Sequence, residues 1–201
     1  MSAPDVMALD PSQLTPEQAA YLSSPKGFAK HVLGIPYYDT NTGRVLATCR
    51  AKDGSTYYEV KDNNWQEQVL DAINPHGSRV SVITCNGAGK TAVILATAIL
   101  WHLSVFPNCR VVSTSGAWRQ LRSQLWPALM AQRSKLGEDW EFIAGDMTVR
   151  SPIGGEYVGF STNDEGKAEG YHGSKIEDYF ATPAKGPLMI IVDEAKTVPL
   201  G

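Results

Sequence analysis

The sequence has few cysteines and no hydrophobic segment long enough to cross a membrane. Its 201 residues include an odd number of cysteines, none with C-x-x-C spacing: Cys49, Cys85 and Cys109. This argues against a disulfide framework or a zinc site and favours a reducing compartment. The longest apolar stretch, around residues 92–100, is too short and too interrupted to span a bilayer. The N-terminus lacks a basic segment followed by an apolar one, so we expect a soluble, intracellular protein without a signal peptide.

Positive charge is not in excess either, since the formal net charge is -3 at pH 7. A protein that binds nucleic acid over its whole surface is expected to be basic. The charge therefore argues against that class, although it leaves room for a local basic patch. The 43% hydrophobic and 19% charged content is typical of a globular chain, and the length is sufficient for one domain with a real core.

Residues 1–64 predict a lead-in of helices and a β-hairpin after a flexible start. Two segments, TPEQAAYL and SPKGFAKHVLG, begin with a capping residue followed by proline, at Thr15 and Ser24. This order favours the start of a helix, and Gly34 predicts the end of the second one. RVLATCRAKDGSTYYEVKD indicates two strands joined at an Asp-Gly turn, residues 53–54.

From residue 65 onward the sequence alternates between helical and strand patterns. NNWQEQVLDAI predicts a short amphipathic helix, and residues 91–105 and 117–137 predict longer ones. The last of these has Trp118, Leu121, Leu125 and Leu129 on roughly one face, and Pro127 is expected to kink or end it. Three apolar runs are typical of buried strands: the first, RVSVITC (79–85), the second, CRVVSTS (109–115), and the third, PLMIIVDE (187–194). Residues 141–163 indicate short strands around a Gly-rich turn. The alternation predicts an α/β fold with a parallel core sheet flanked by helices.

The segment TCNGAGKT, residues 84–91, has the composition of a phosphate-binding loop and is called the phosphate-loop segment below. Its glycines allow the backbone to curl so that successive N–H groups point at one phosphate, and the following helix adds the positive end of its dipole. Lys90 would reach the outer phosphates, and the hydroxyl of Thr91 would bind Mg²⁺. The residues predicted to bind nucleotide here are Cys85, Asn86, Gly87, Ala88, Gly89, Lys90 and Thr91.

Thr84 stands where the usual G-x-x-x-x-G-K-[ST] pattern has its first glycine. That glycine mainly eases the exit from the strand, so its replacement weakens the pattern without removing its chemistry. A Gly-rich turn with no ligand is the alternative interpretation. The position of the segment, between an apolar run and an apolar helix, favours the nucleotide interpretation.

The third apolar run ends in two acidic residues, Asp193 and Glu194. An apolar strand places such residues at the carboxyl-terminal edge of the sheet, where α/β proteins bind ligands. Together with the phosphate-loop segment, Asp193 is expected to hold Mg²⁺ and Glu194 to activate the attacking water. A solvated acidic turn is the alternative for this run taken alone. An acid directly after the metal-binding Asp favours an ATPase over a small GTPase.

These segments together resemble the large terminase subunit, the ATPase that packages DNA into the heads of tailed phages. The resemblance covers most of residues 25–199 and depends on NNWQEQVLDAI, TCNGAGKT, VVSTSGAWRQLRSQLW, AEGYHG and IIVDEAKTVP. The last three discriminate more than the phosphate-loop segment, because many ATPases share that loop. The resemblance implies a P-loop NTPase core of the RecA/ASCE-like type that binds ATP and Mg²⁺ and hydrolyses ATP.

The resemblance also implies a role for each matching residue. Trp65 and Gln66 match the segment that recognises adenine, although Trp65 serves equally well as a core anchor of its helix. His172, in GYHG, fits the family pattern, and ordering of its loop is the favoured role. Lys90 and Glu194 match the catalytic residues of the family. Thr91 and Asp193 match its metal-binding residues.

An ATPase motor needs a cation against the charge of the transition state. Some terminases keep an arginine inside the phosphate loop, but residues 85–88 contain none. Arg119 and Gln120 lie in a segment that runs near the nucleotide in this family, although a solvated helix face is the favoured interpretation for both. The candidate arginines, acting within the chain or across a ring, are Arg119, Arg122, Arg133 and Arg150.

The resemblance implies parts that these 201 residues do not contain. Residues 1–64 form the lead-in, and residues 65–201 form an ATPase core that stops soon after the Asp-Glu strand. A later strand, which belongs between the phosphate-loop strand and the Asp-Glu strand, and a nuclease domain that makes the longer protein an endonuclease are expected to be missing. We therefore expect an N-terminal fragment with unpaired strand edges that is marginally stable and prone to aggregate.

A packaging motor implies partners and a place of action. The partners would be double-stranded DNA, the portal protein and the small terminase subunit, with a homo-oligomeric ring as the assembled state and no membrane. The place would be the host cytoplasm, with transient docking on the viral procapsid. Two alternatives stay open: a helicase-like, nucleic-acid-stimulated ATPase, which DEAK and Gln66 also fit, and a nucleotide-binding module that does not hydrolyse.

Overall fold

The structure, a computed structural model, describes residues 15–35, 44–50, 53, 55–62, 65–83, 88–116, 118–161 and 186–193. Within these ranges the chain forms a two-stranded hairpin and a five-stranded sheet with helices packed against it. No helix in these ranges is long and apolar enough to cross a membrane.

The two helices predicted near the N-terminus are present as α1 (Pro16–Leu22) and α2 (Pro25–His31). Ser24 caps α2, because its Oγ accepts a hydrogen bond from the backbone N–H of Gly27 at 3.0 Å. After α2, Gly34 adopts φ +59, a left-handed conformation that ends the helical turn. The predicted helix start and stop signals at Ser24 and Gly34 are therefore confirmed.

The predicted hairpin and the short helix after it are also present. Strands β1 (Arg44–Arg50) and β2 (Thr56–Asp62) pair antiparallel, and α3 (Trp65–Ile73) follows them. Lys26 of α2 and Asp71 of α3 form an ion pair at 2.9 Å. Both side chains are partly exposed, so the pair orients α3 on α2 and adds little stability.

Helix α4 begins at Lys90, within the phosphate-loop segment, and its later part lies in the core. It is π-helical over Lys90–Leu95 and α-helical over Ala96–Val105. All eight residues from 96 to 103 are buried, as expected from the apolar composition of this segment. The indole N–H of Trp101 donates to the backbone carbonyl of Leu22 at 2.9 Å, which attaches α1 to α4.

Helix α5 runs past Pro127 and does not end there. Its conformation changes along its length: α-helical over Trp118–Gln120, π-helical over Leu121–Leu125, α-helical over Trp126–Gln132 and 3₁₀ over Arg133–Lys135. Proline lacks an N–H group and its ring crowds the carbonyl four residues earlier. The wider π-helical turn just before Pro127 accommodates both effects. Leu121, Leu125 and Leu129 are fully buried, which confirms the predicted apolar face.

The five-stranded sheet has the order β4-β5-β6-β3-β7, and it is mixed rather than parallel as predicted. Strand β3 pairs parallel with β6 and β7, whereas β4, β5 and β6 pair antiparallel, because short turns return the chain directly to its neighbour. The α/β class is confirmed. The strands are β3 (Arg110–Ser115), β4 (Glu141–Ile143), β5 (Thr148–Arg150), β6 (Glu156–Ser161) and β7 (Leu188–Asp193).

The described part of the first apolar run does not form the predicted buried strand. Residues 79–83 lie outside every described strand, and the side chains of Val80 and Ile83 are 41% and 95% exposed. A β-branched run forms a strand only where a neighbour supplies partners for its N–H and C=O groups. None of the strands that the structure describes supplies them, and β7 is the outermost of those strands on its side of the sheet.

The two faces of the sheet differ in burial. On the face that packs against α4 and α5, Val111, Tyr157 and Ile191 are buried. On the opposite face, β7 exposes three large apolar side chains within the described part of the protein: Leu188, Ile190 and Val192. Among the described strands, β3 is therefore buried on both faces, whereas β7 has one face that is mostly buried and one that is exposed.

Candidate functional site

Residues 88–91 are the end of the phosphate-loop segment and lead into α4, which begins at Lys90. Gly89 has φ +86, in the left-handed region that glycine adopts at little cost. The N–H of Val93 donates to the carbonyl of Gly89 at 2.8 Å, so helical hydrogen bonding begins at Gly89. Lys90 and Thr91 therefore lie in the first turn of α4, and both are half-buried. Free N–H groups and the helix dipole make such a turn favourable for an anion.

Several predicted site residues lie outside the described residues. They include part of the phosphate-loop segment, the proposed base and the histidine of GYHG: Cys85, Asn86, Gly87, Glu194 and His172. Their roles stay predictions.

Gln66 connects α3 to the phosphate-loop segment. Its side-chain Nε2 donates to the backbone carbonyl of Ala88, 22 residues later, at 2.9 Å. Gln66 is 1% exposed, and its Oε1 has no hydrogen-bond partner among the described residues. Trp65, next to it, is half-buried and packs against the core. The structure thus brings one residue predicted for the nucleotide site into direct contact with the loop predicted to bind phosphate.

Asp193 is the last residue of β7 and is 8% exposed. The parallel register places it beside Ser115 of β3, which is in turn beside Ser161 of β6. All three side chains are buried at the carboxyl ends of neighbouring parallel strands, and we call them the polar layer. Ligand sites of α/β proteins lie at this edge of the sheet. The predicted placement of Asp193 is therefore confirmed, while its metal-binding role stays a prediction.

A buried hydrogen bond lies two residues below the polar layer. The hydroxyls of Tyr157 and Ser113 are 2.8 Å apart, and Gly159 leaves the space for this contact, because a Cβ there would lie 2.8 Å from the Tyr157 hydroxyl. Burial raises the pKa of Tyr157 well above its ordinary value, and the negative charge of Asp193 raises it further. Tyr157 therefore stays protonated and able to donate. The sequence reasoning missed this pair, although the alternating hydroxyl residues at the end of the second apolar run were a signal for it.

Gln120 contacts the polar layer and is not part of a solvated face. Its side-chain Oε1 accepts a hydrogen bond from the Ser115 hydroxyl at 2.8 Å, and the residue is half-buried. This bond joins the start of α5 to the end of β3, beside Asp193. Arg119, one residue earlier, is exposed, as expected for it from the sequence.

The four candidate arginines differ in their surroundings. Arg150 bonds to Glu156 at 3.0 Å and to Glu141 at 3.4 Å, so its charge is already matched by two carboxylates. The guanidinium of Arg133 lies 5.7 Å from the centre of the Phe142 ring. Arg119 and Arg122 are exposed on α5, and Arg119 is next to the residue that contacts the polar layer. Arg119 is therefore nearer to the polar layer along the chain than the paired Arg150, and the charge-stabilising role of any of the four arginines stays a prediction.

Binding of a nucleotide-bound Mg²⁺ ion by this chain stays a prediction. No group of three or more His, Cys, Asp and Glu that could hold a metal is found in the described ranges. A nucleotide-bound Mg²⁺ needs no such group, because one or two protein oxygens, phosphate oxygens and water complete its shell. Thr91, in the first turn of α4, and Asp193, at the end of β7, are oxygen donors of this type.

No protein-family model, curated protein or solved structure matches this chain. The function is therefore inferred from two groups of residues: the first turn of α4 with Gln66, and the polar layer with its neighbours.

Proposed function

We propose that this chain carries the ATPase motor domain of a viral DNA-packaging terminase, which hydrolyses ATP to move double-stranded DNA into a procapsid. The observation that carries the proposal is the first turn of α4. Lys90 and Thr91 lie there directly after a left-handed Gly89, at the start of a long helix whose body is buried. This conformation and these residue types suit the outer phosphates of a nucleotide and its Mg²⁺ ion.

Each residue of the site has one task in this proposal. Lys90 pairs with the outer phosphates, while Thr91 and Asp193 hold Mg²⁺. Glu194 takes the proton of the attacking water. Bound ATP supplies the phosphoryl bond whose cleavage drives movement. Arg119 or Arg122, within the chain or across a subunit boundary, balances the charge that develops during cleavage.

The wider proposal is a P-loop NTPase core of the RecA/ASCE-like type that works in an assembly. The partners are the portal protein, the small terminase subunit and other copies in a ring, on a procapsid in the host cytoplasm. The modest negative charge of the chain is compatible with a motor that slides, because dense phosphate contacts would hold DNA in place.

The test compares ATP binding and ATP hydrolysis in three forms of the protein, with and without double-stranded DNA. Glu194→Gln should abolish turnover, on the order of 100-fold or more, and leave ATP binding intact. Lys90→Ala should weaken binding of ATP itself. Glu138→Gln, at an exposed acid after α5, is the matched control and should leave both unchanged.

Two results would contradict the proposal. Normal ATP binding without measurable turnover in the wild-type protein, so that Glu194→Gln changes nothing, would identify a nucleotide-binding module that does not hydrolyse. Unwinding of a duplex by the wild-type protein, driven by ATP, would favour the helicase-like alternative.

A further inference from the structure

Gln66 is a buried polar side chain that makes one hydrogen bond among the described residues. It is 1% exposed, its Nε2 donates to the carbonyl of Ala88 at 2.9 Å, and its Oε1 has no partner among the described residues. A buried amide that leaves one polar atom unpaired costs free energy. Among the described residues, the hydrogen bond to the Ala88 carbonyl is the contact that offsets part of this cost.

That bond determines the orientation of a peptide group in the phosphate-loop segment. In a trans peptide, the C=O of one residue and the N–H of the next point in opposite directions. A donor that holds the Ala88 carbonyl on the α3 side therefore directs the N–H of Gly89 away from α3. Gly89 is the residue whose φ of +86 leads into the first turn of α4. Its N–H is thus presented on the side away from Gln66, as a phosphate-binding loop requires.

The donor is itself held firmly. Leu70, one turn further along α3, is fully buried, and Val69 and Ile73 pack against the core. The ion pair between Lys26 and Asp71 joins α3 to α2. Gln66 therefore projects from a helix that other contacts hold in place. Its hydrogen bond can constrain the Ala88–Gly89 peptide, because α3 does not depend on that bond for its own position.

We propose that Gln66 is a positioning residue, which orients the Ala88–Gly89 peptide so that residues 88–91, at the start of α4, bind a polyphosphate. This inference rests on the proposed function, because it concerns the same nucleotide site. It differs from recognition of the base, because Nε2 is used by Ala88 and Oε1 is buried. The recognised chemistry is the phosphate chain, so selectivity between bases should not depend on Gln66.

The first experiment measures the loop without any ligand. Gln66→Met keeps the side-chain volume and removes the donor, and Gln68→Met, at an exposed position of the same helix, is the matched control. The reporter is amide hydrogen exchange at Val93, whose N–H bonds to the carbonyl of Gly89. We expect exchange there to become several-fold faster in Gln66→Met alone. Exchange equal to that of the wild-type protein would overturn the proposal, and this result does not depend on whether the protein is an ATPase.

The second experiment measures affinities for inorganic tripolyphosphate, ATP and GTP in the presence of Mg²⁺. Gln66→Met should weaken all three by a similar factor, about 5- to 10-fold, as expected for the loss of one buried hydrogen bond. Unchanged tripolyphosphate affinity with lost discrimination between ATP and GTP would identify Gln66 as a base reader and overturn the proposal. Unchanged affinities for all three with only a lower melting temperature would reduce Gln66 to a structural residue and also overturn it.

A third variant tests the direction of the hydrogen bond. The carboxylate of Gln66→Glu cannot donate to Ala88, but its protonated form can. Tripolyphosphate affinity relative to Gln66→Met should therefore rise as the pH falls and the carboxyl group becomes protonated. A pH profile identical to that of Gln66→Met would contradict a donating role. Failure of the wild-type protein to bind any of the three ligands would refute the proposed function, and Val93 exchange would then show separately whether Gln66 holds the Ala88–Gly89 peptide.

Discussion

The first and second apolar runs have nearly the same composition and entirely different environments. RVSVITC (79–85) and CRVVSTS (109–115) are both rich in valine and hydroxyl residues. The second run contains β3, which pairs with β6 on one side and β7 on the other and has buried side chains from residue 111 onward. In the first run, the described residues 79–83 form no strand, and Ile83 is 95% exposed. The composition of a run therefore indicates that it can form a strand and does not ensure that it will.

The difference has a physical cause in the neighbours of each run. Backbone N–H and C=O groups are satisfied either by a partner strand or by water. β3 lies between two strands, and α4 and α5 cover its inner face, so pairing and burial support each other. Among the described strands none pairs with residues 79–83, so burial of Val80 and Ile83 would leave their peptide groups without partners.

Replacing an isoleucine by alanine, once in the sheet and once in the first run, should give the largest difference in the free energy of unfolding. Ile191 of β7, beside β3, is 8% exposed, so Ile191→Ala should lower the free energy of unfolding by about 2–5 kcal/mol. Ile83→Ala, the matched control, should change it by less than about 0.5 kcal/mol. Urea unfolding of both variants measures the difference. Equal losses would mean that residues 79–83 are buried in solution.

Removing one hydroxyl group from each run should give an intermediate loss in the free energy of unfolding. Ser113→Ala leaves the buried Tyr157 hydroxyl without its partner and should cost about 1–3 kcal/mol of unfolding free energy, whereas Ser81→Ala, at an exposed position, should cost little. Combining Ser113→Ala with Tyr157→Phe should cost less than the sum of the two single changes, because they remove the same bond. Strict additivity in a double-mutant cycle would show that the bond contributes nothing.

A pH change should have the smallest effect on the free energy of unfolding. It should distinguish a buried histidine next to the sheet from an exposed histidine next to the first run. His102 of α4 is buried, its Nε2 lies 3.4 Å from the carbonyl of Pro187 just before β7, and burial lowers its pKa below 6.5. The unfolded chain then takes up a proton near pH 6.5 that the folded chain takes up only at lower pH. Neutral His102 is therefore compatible with full stability above pH 6.5, and the free energy of unfolding declines as the pH falls below that value.

Unfolding free energies measured between about pH 8 and pH 5 test this direction. The decline should become smaller in His102→Gln and should persist in His76→Gln, which changes an exposed histidine just before the first run. A decline that is the same in His102→Gln as in the wild-type protein would refute the assignment to His102.

Local signals were the part of the fold that sequence reasoning predicted well. The Ser24 cap, the left-handed Gly34, the hairpin, the burial of α4 and the apolar face of α5 are all confirmed. Each depends on contacts or backbone preferences within a few residues of the chain. The mixed sheet and the exposure of the first run were not predicted, because both depend on which distant strands are adjacent.

The candidate site also has features that the local sequence predicted and features that it did not. The motif predicted that Lys90 and Thr91 open a helix and that Asp193 ends a strand, since both follow from local pattern. It did not predict that Gln66 donates to Ala88 or that Gln120 bonds to Ser115. Those contacts join parts of the chain whose approach depends on how helices pack on the sheet.

The sequence by itself determined the helix cap at Ser24, the tendency of the apolar runs to form strands, and the left-handed glycine before Lys90. Only the tertiary structure decided which apolar run became a central strand, which polar side chains surround Asp193, and which group holds the Ala88 carbonyl. The reason is that backbone preferences and short-range periodicity act within a few residues. Burial and hydrogen-bond satisfaction instead depend on neighbours that are distant in the chain.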